Sequence, residues 1–266
     1  MAALVADDPV RHCFVAARLG ESSGSWSRIG ADFWGYFDTD TPPRLSSALF
    51  LGANLVPVGT DARARAAFAD RLRLTGRRGS SIVGPADEVL DLWRLLEASW
   101  GPAREVRDRQ PLLSISSAPA APADPSVRLV REDELDILVP ACVAMFTEEV
   151  GVSPVSGGAG AAYRARIAEL VRSGRAYARI EDGRVIFKAE IGAATAQACQ
   201  VQGVWVDPRS RGRRLSVGGM AAVVELARRD CAPRVSLYVN DFNVAARRCY
   251  ASVGFAEVGT FATVLF

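Results

Sequence analysis

Val204-Trp-Val-Asp-Pro-Arg-Ser-Arg-Gly-Arg-Arg-Leu-Ser216 runs from an apolar segment ending at Val206 into a turn of arginine and glycine, and then opens into Gly218-Gly-Met-Ala-Ala-Val-Val-Glu-Leu-Ala227. The pattern is strand, basic loop, helix. The N-terminus of a helix carries unpaired N–H groups and about half a positive charge. A loop that bends backbone amides toward the same point therefore makes a seat for an anion such as phosphate, and Arg209, Arg211, Arg213 and Arg214 strengthen it.

Upstream of this stretch, Arg175 to Ile191 contains Asp182-Gly183 between two alternating runs, which predicts a hairpin with a two-residue turn. A third strand, from about Gln197, leads into Val206. Downstream come a strand at Arg234–Val239, the loop Asn240-Asp-Phe-Asn243, a helix through Tyr250 and terminal strands at 255–258 and 261–266. Before the hairpin, Val127–Val130 reads as a strand, and Glu132-Asp-Glu-Leu-Asp136 opens a helix whose acidic first turn suits the helix dipole. The glycine-rich segment Gly151–Gly160 is placed to cover a substrate, ahead of a helix from Tyr163 to Ser173.

The first part of the chain has a different texture. Asp32–Asp38 and Leu45–Val58 predict two strands joined by the turn Thr39-Asp-Thr-Pro-Pro43, and Asp61 to Leu74 is an amphipathic helix. A short strand at Ser81–Val83, a helix from Asp87 to Ser99 and an apolar strand at Leu112–Ile115 complete it. Ser117-Ala-Pro-Ala-Ala-Pro-Ala-Asp-Pro-Ser126 lacks apolar periodicity and reads as a stiff linker. The expected division is an N-terminal α/β domain over 1–116, a linker over 117–126 and a C-terminal domain over 127–266. The fold class is α/β with a mixed sheet.

A chain of 266 residues fits two domains at the usual size of about 100–200 residues each. A net charge of +2 is too small to predict nucleic-acid or membrane binding through bulk electrostatics. Lys188 is the only lysine. The five cysteines are widely spaced among apolar neighbours, so neither a disulfide framework nor a metal site is expected. His12, the only histidine, reads as a packed or surface side chain. The N-terminal residues lack a basic region before an apolar core and no run approaches the roughly 18 apolar residues of a membrane span, so a cytoplasmic protein is expected.

Two motifs carry a resemblance. Val206-Asp-Pro-Arg-Ser-Arg-Gly-Arg-Arg-Leu-Ser216 is similar to the V-x-P-x-x-R-G-x-G-x-G/A turn of the GNAT superfamily of acyl-CoA-dependent N-acetyltransferases. Asn243-Val-Ala-Ala246 with Tyr250 and Gly254-Phe255 is similar to that family's N-x-x-A-x-x-x-Y-x-x-x-G-F. The resemblance covers about 127–266, and the first domain looks weakly like a degenerate half of the same fold. The two-part layout resembles actinobacterial GNAT proteins with an N-terminal domain of no assigned role.

The resemblance implies acetyl-CoA, or another acyl-CoA, as co-substrate, with no metal. Backbone groups near Val204, Trp205 and Val206 would pair with pantetheine amides. Arg211, Gly212, Arg213, Arg214, Leu215 and Ser216 would wrap the pyrophosphate, Asn243 would hold the cofactor arm, and Tyr250 would protonate the departing thiolate. Arg214 stands where the family usually has Gly, and Ser216 where it has Gly or Ala. Donation to phosphate survives if the turn avoids positive φ there. Gln202 occupies a strand position where many members carry a catalytic Glu, and a carboxamide cannot act as a base.

Glu190 is the leading candidate base, because it sits in the apolar run Val185–Ile191 next to the strand of Val204, where a carboxylate is partly desolvated. The alternative pairs it with a cross-strand arginine or exposes it at an edge. Glu148 and Glu149 are second choices. The expected function is acyl transfer to a primary amine, carried by a small molecule or a protein, by direct attack in a ternary complex. An acyl-CoA-binding regulatory protein without turnover is the alternative, and an aminoacyl-tRNA-dependent transferase a third that the modest net charge disfavours. No membrane or nucleic-acid partner is expected. The first domain is expected to narrow the acceptor cleft or to mediate homodimerisation.

Overall fold

The computed structural model describes residues 1–21 and 30–266. Among these, eight α-helices and eleven β-strands form two compact units. One comprises 1–113, 238–243 and 257–266, the other 114–237 and 244–256. The fold is mixed α/β, as the alternating patterns predict.

In the first unit, α1 (Ala2–Ala6) and α2 (Cys13–Glu21) precede β1 (Asp32–Phe37), β2 (Leu45–Leu51), β3 (Asn54–Val58), α3 (Ala62–Thr75), β4 (Ser81–Pro85), α4 (Ala86–Trp100) and β5 (Glu105–Ile115). The run 45–58 is two strands, not the single one its apolar character suggests. It doubles back at Gly52-Ala53, and β2 and β3 pair antiparallel with Leu51 opposite Leu55. A strand buried on both faces shows no alternation, so the turn inside it is hidden. The two faces serve two cores. Leu49, Leu51 and Leu55 pack with Phe68, Leu72, Leu92 and Trp93 of α3 and α4, while Ala48, Phe50, Val56 and Val58 pack with Val5 and Val15 of α1 and α2. The Asp61 carboxylate caps α3 by accepting from the Ala64 amide at 2.8 Å.

The second unit continues with β6 (Arg128–Leu129), α5 (Leu135–Val150), α6 (Gly160–Arg172), β7 (Ala176–Glu181), β8 (Arg184–Ala194), β9 (Ala198–Val206), α7 (Leu215–Asp230), β10 (Arg234–Tyr238) and α8 (Val244–Val253). The last strand, β11 (Ala256–Leu265), is one element instead of the two expected, and it pairs antiparallel with β4. Strand order is β1-β2-β3-β4-β11-β5 in the first unit and β10-β9-β8-β7-β6 in the second. The Asp182-Gly183 turn joins β7 to β8, with Asp182 itself at φ +48°. The segment 117–126 packs on the second unit, where Asp124 receives Arg179 at 2.8 Å and its amide bonds the Gly218 carbonyl at 3.0 Å. Helix α7 lies close over β8, and a Cβ on Gly219 would come within 2.8 Å of the Phe187 ring. No helix among the described residues is long and apolar enough to cross a membrane.

Candidate active site

β9 pairs in parallel with β10 only over Ala198–Gln200 against Arg234–Ser236, although it runs on to Val206. Its other edge stays on β8, with Trp205 opposite Lys188 and Val206 opposite Phe187. Between Lys188↔Trp205 and Glu190↔Gln202, one residue of β8 faces Gly203 and Val204 of β9. That mismatch is a β-bulge, and Gly203 adopts φ +60° in it. The half-buried Val204, Trp205 and Val206 are thus carried past the end of the parallel ladder.

The basic loop follows. Asp207 accepts from the Arg209 amide at 3.0 Å and from Arg184 Nη2 at 2.6 Å, and these partners, Arg184 foremost, hold its carboxyl well below the usual range. Arg211 donates to the Val206 carbonyl at 3.1 Å and to Glu148 Oε2 at 2.6 Å, while Glu148 Oε1 accepts from Trp205 Nε1 at 3.2 Å. The amides of Gly212, Arg213 and Arg214, and both of the latter guanidinium groups, have no partner among the described residues. Arg214 takes the left-handed conformation, φ +59° and ψ +19°, immediately before α7. The turn therefore has positive φ at the position where the expected donation to phosphate is conditional on avoiding it. Its amide stays available, at a strain that in an L-residue costs about 1–2 kcal/mol. Leu215 and Ser216 are the first residues of α7.

Glu190 is buried and lies directly opposite Gln202. Gln202 Nε2 donates to Glu190 Oε1 at 2.9 Å, and Lys188 Nζ to Oε2 at 3.3 Å. Its cation is thus the same-face lysine two residues back, in place of a cross-strand arginine. In the sequence Lys188 stands out only as the single lysine, yet its place two residues before Glu190 in an apolar strand is the signal for this pairing. Tyr250 is buried against Phe255, ring centroids 5.9 Å apart, and its hydroxyl has no hydrogen-bond partner among the described residues. Burial, then the charges of Cys249 and Glu149, push the phenol's pKa up, so it stays protonated.

Glu190, the 204–216 stretch and Tyr250 all fall in the second unit, whereas Asn243 ends the 238–243 segment that groups with the first and directly precedes α8. The Asn243 amide donates to the Asn240 carbonyl at 2.9 Å. His12 is buried, and burial lowers its pKa. The five cysteines form no disulfide, and no cluster of His, Cys, Asp and Glu among the described residues is arranged to hold a metal.

A family model described as the acetyltransferase (GNAT) family matches residues 157–255. This segment is a GNAT-family domain. It spans α6, the β7–β9 strands, the basic loop, α7, β10 and α8. A second model, a domain of unknown function (DUF4081), matches 31–138. No curated protein matches the chain. Among solved structures, a GNAT-family acetyltransferase from Colwellia psychrerythraea aligns with TM-score 0.57 at 10% identity, covering 100% of this chain and 97% of that one. A tandem GNAT protein from the clavulanic acid biosynthesis pathway aligns at 0.56 and 14% identity, covering 99% and 92%. A Drosophila protein aligns at 0.66 and 12% identity, covering 98% and 93%. At such identities the likeness is one of fold, and it extends over the first unit as well as the GNAT domain.

Proposed function

We propose that the chain transfers an acetyl or other short acyl group from acyl-CoA to a primary amine, on a small molecule or a protein, by direct attack in a ternary complex. The observation that carries this reading is the end of the β9–β10 ladder beside a loop whose amides at Gly212, Arg213 and Arg214 are unpaired at the start of α7. Such amides and the α7 dipole suit a diphosphate, and the edge from Val204 to Val206 suits the amides of a pantetheine arm. These residues fit the group. When bound, acyl-CoA supplies the activated carbonyl. The rest falls to the chain. Glu190 takes the acceptor's proton, a backbone N–H near Val206 steadies the developing oxyanion, and the Tyr250 hydroxyl protonates the leaving sulfur. Asn243 holds the cofactor arm, and the location is cytoplasmic.

Calorimetry with acetyl-CoA is expected to show saturable binding, and its absence at millimolar cofactor overturns the reading. Tyr250→Phe is expected to lower kcat by about 100-fold with binding retained; an undiminished kcat removes the acid. A second reading, acyl-CoA binding without turnover, draws on the engagement of both Glu190 oxygens by Gln202 and Lys188. Single-turnover assays over an amine panel separate the two, since binding with no transfer to any amine favours the second.

A further inference from the structure

Lys188 is 1% exposed, and an ammonium at such depth is tolerable only when its donors are all engaged. They are. Nζ donates to the Gly203 carbonyl at 2.9 Å and to Glu190 Oε2 at 3.3 Å. It also lies against the Cys142 thiol of α5, whose pKa burial raises to about 11. The Gly203 carbonyl belongs to the bulge that carries the end of β9 away from its regular register. Glycine suits this position, which has φ +60°, and a Cβ there would crowd Nζ at 3.0 Å, Glu190 Cδ at 3.1 Å and Met145 Cε at 3.2 Å, so that these neighbours would have to give way by a few tenths of an ångström. On the other side of the carboxylate, Oε1 accepts from Gln202, which is exposed. Glu190 therefore has an inner oxygen facing a buried cation and an outer one toward the open side.

We propose that Lys188 is a positioning residue for acyl transfer: one buried ammonium fixes both the bulge of β9 and the inner oxygen of Glu190, so that the outer oxygen is presented to the acceptor amine. The proposal rests on the acyltransferase reading with Glu190 as base. It assigns Lys188 no contact with substrate. Its effect is on turnover, because it sets the carboxylate that receives the proton, while the edge of β9 that receives the co-substrate is also held by its pairing with β8 on both sides of the bulge.

The test uses the full chain. Lysine labelled with 15N gives a single side-chain signal, since there is one lysine. That signal is expected to move in Glu190→Gln and on addition of CoA alone to the wild type. Lys188→Met is expected to lower kcat by about 10- to 100-fold while the calorimetric Kd for CoA stays within about threefold, and Lys188→Met with Glu190→Gln is expected to be no slower than Glu190→Gln. Undiminished kcat in Lys188→Met overturns the proposal, as does a double variant much slower than Glu190→Gln alone. If Lys188→Met fails to fold, a lysine signal indifferent to both Glu190→Gln and CoA overturns it instead, and movement in both supports it. A wild type that binds CoA but transfers to no amine overturns the underlying reading and this one with it, whereas transfer by the wild type with an unaffected Lys188→Met overturns this one only.

Discussion

At the scale of the residue, Arg214 holds the most informative conformation. It takes φ +59° with a long side chain that has no partner among the described residues, in a turn where Gly212 also has positive φ. Glycine would enter this region freely, so the arginine is kept against a local preference. Arg214→Gly is expected to stabilise the free protein by about 0.5–1 kcal/mol, the left-handed strain of about 1–2 kcal/mol being relieved and partly offset by glycine's greater freedom when unfolded. Urea unfolding reads this directly, and Arg214→Ala, which keeps the strain, should show no such gain. A lower midpoint in Arg214→Gly would mean that the guanidinium makes stabilising contacts exceeding the strain.

At the scale of the element, α7 and β8 depend on one close approach. Gly219 lets the helix lie against the fully buried Phe187 ring, and a ring with no solvent exposure has nowhere to swing. Gly219→Val is expected to destabilise by about 1–3 kcal/mol through overpacking, seen as a lower urea midpoint. An unchanged midpoint would show that the helix can shift outward. Helix α7 and the β7–β8 hairpin were legible because their signals are local: a periodic run after a basic turn, and Asp182-Gly183 between alternating strands. The turn inside 45–58 was not, because both faces of that run are buried and Gly52-Ala53 lies within apolar sequence. Gly259-Thr260 invited the opposite error, suggesting a break where β11 is continuous. At the candidate site, the motifs single out 204–216, Asn243 and Tyr250 from the sequence alone, but the pairing of Glu190 with Gln202 is a matter of register. That register is set by a bulge at Gly203, which no pattern of residue types announces.

At the scale of the whole molecule, the compact units do not follow chain order. The terminal strand β11 inserts beside β4 of the first unit, joining residues far apart in sequence, with Val264 and Ala262 completing the core of Leu49, Leu72 and Leu96. The 32 basic residues are, with one exception, arginines, and the exception is the buried Lys188. A guanidinium is protonated at any working pH and is a poor nucleophile, whereas a free lysine amine reacts with thioesters without help. If the chain handles acyl-CoA as proposed, it presents the activated acyl group with no exposed lysine of its own to modify. Prolonged incubation of the folded chain with acetyl-CoA should leave every internal peptide unacylated by mass spectrometry, with the α-amine as the one reactive primary amine. Acylation at Lys188 in the native state would show instead that its enclosure opens on the timescale of the reaction. Unfolding in urea before acylation should make that same lysine reactive, so its modification would serve as a built-in recorder of opening in the second unit.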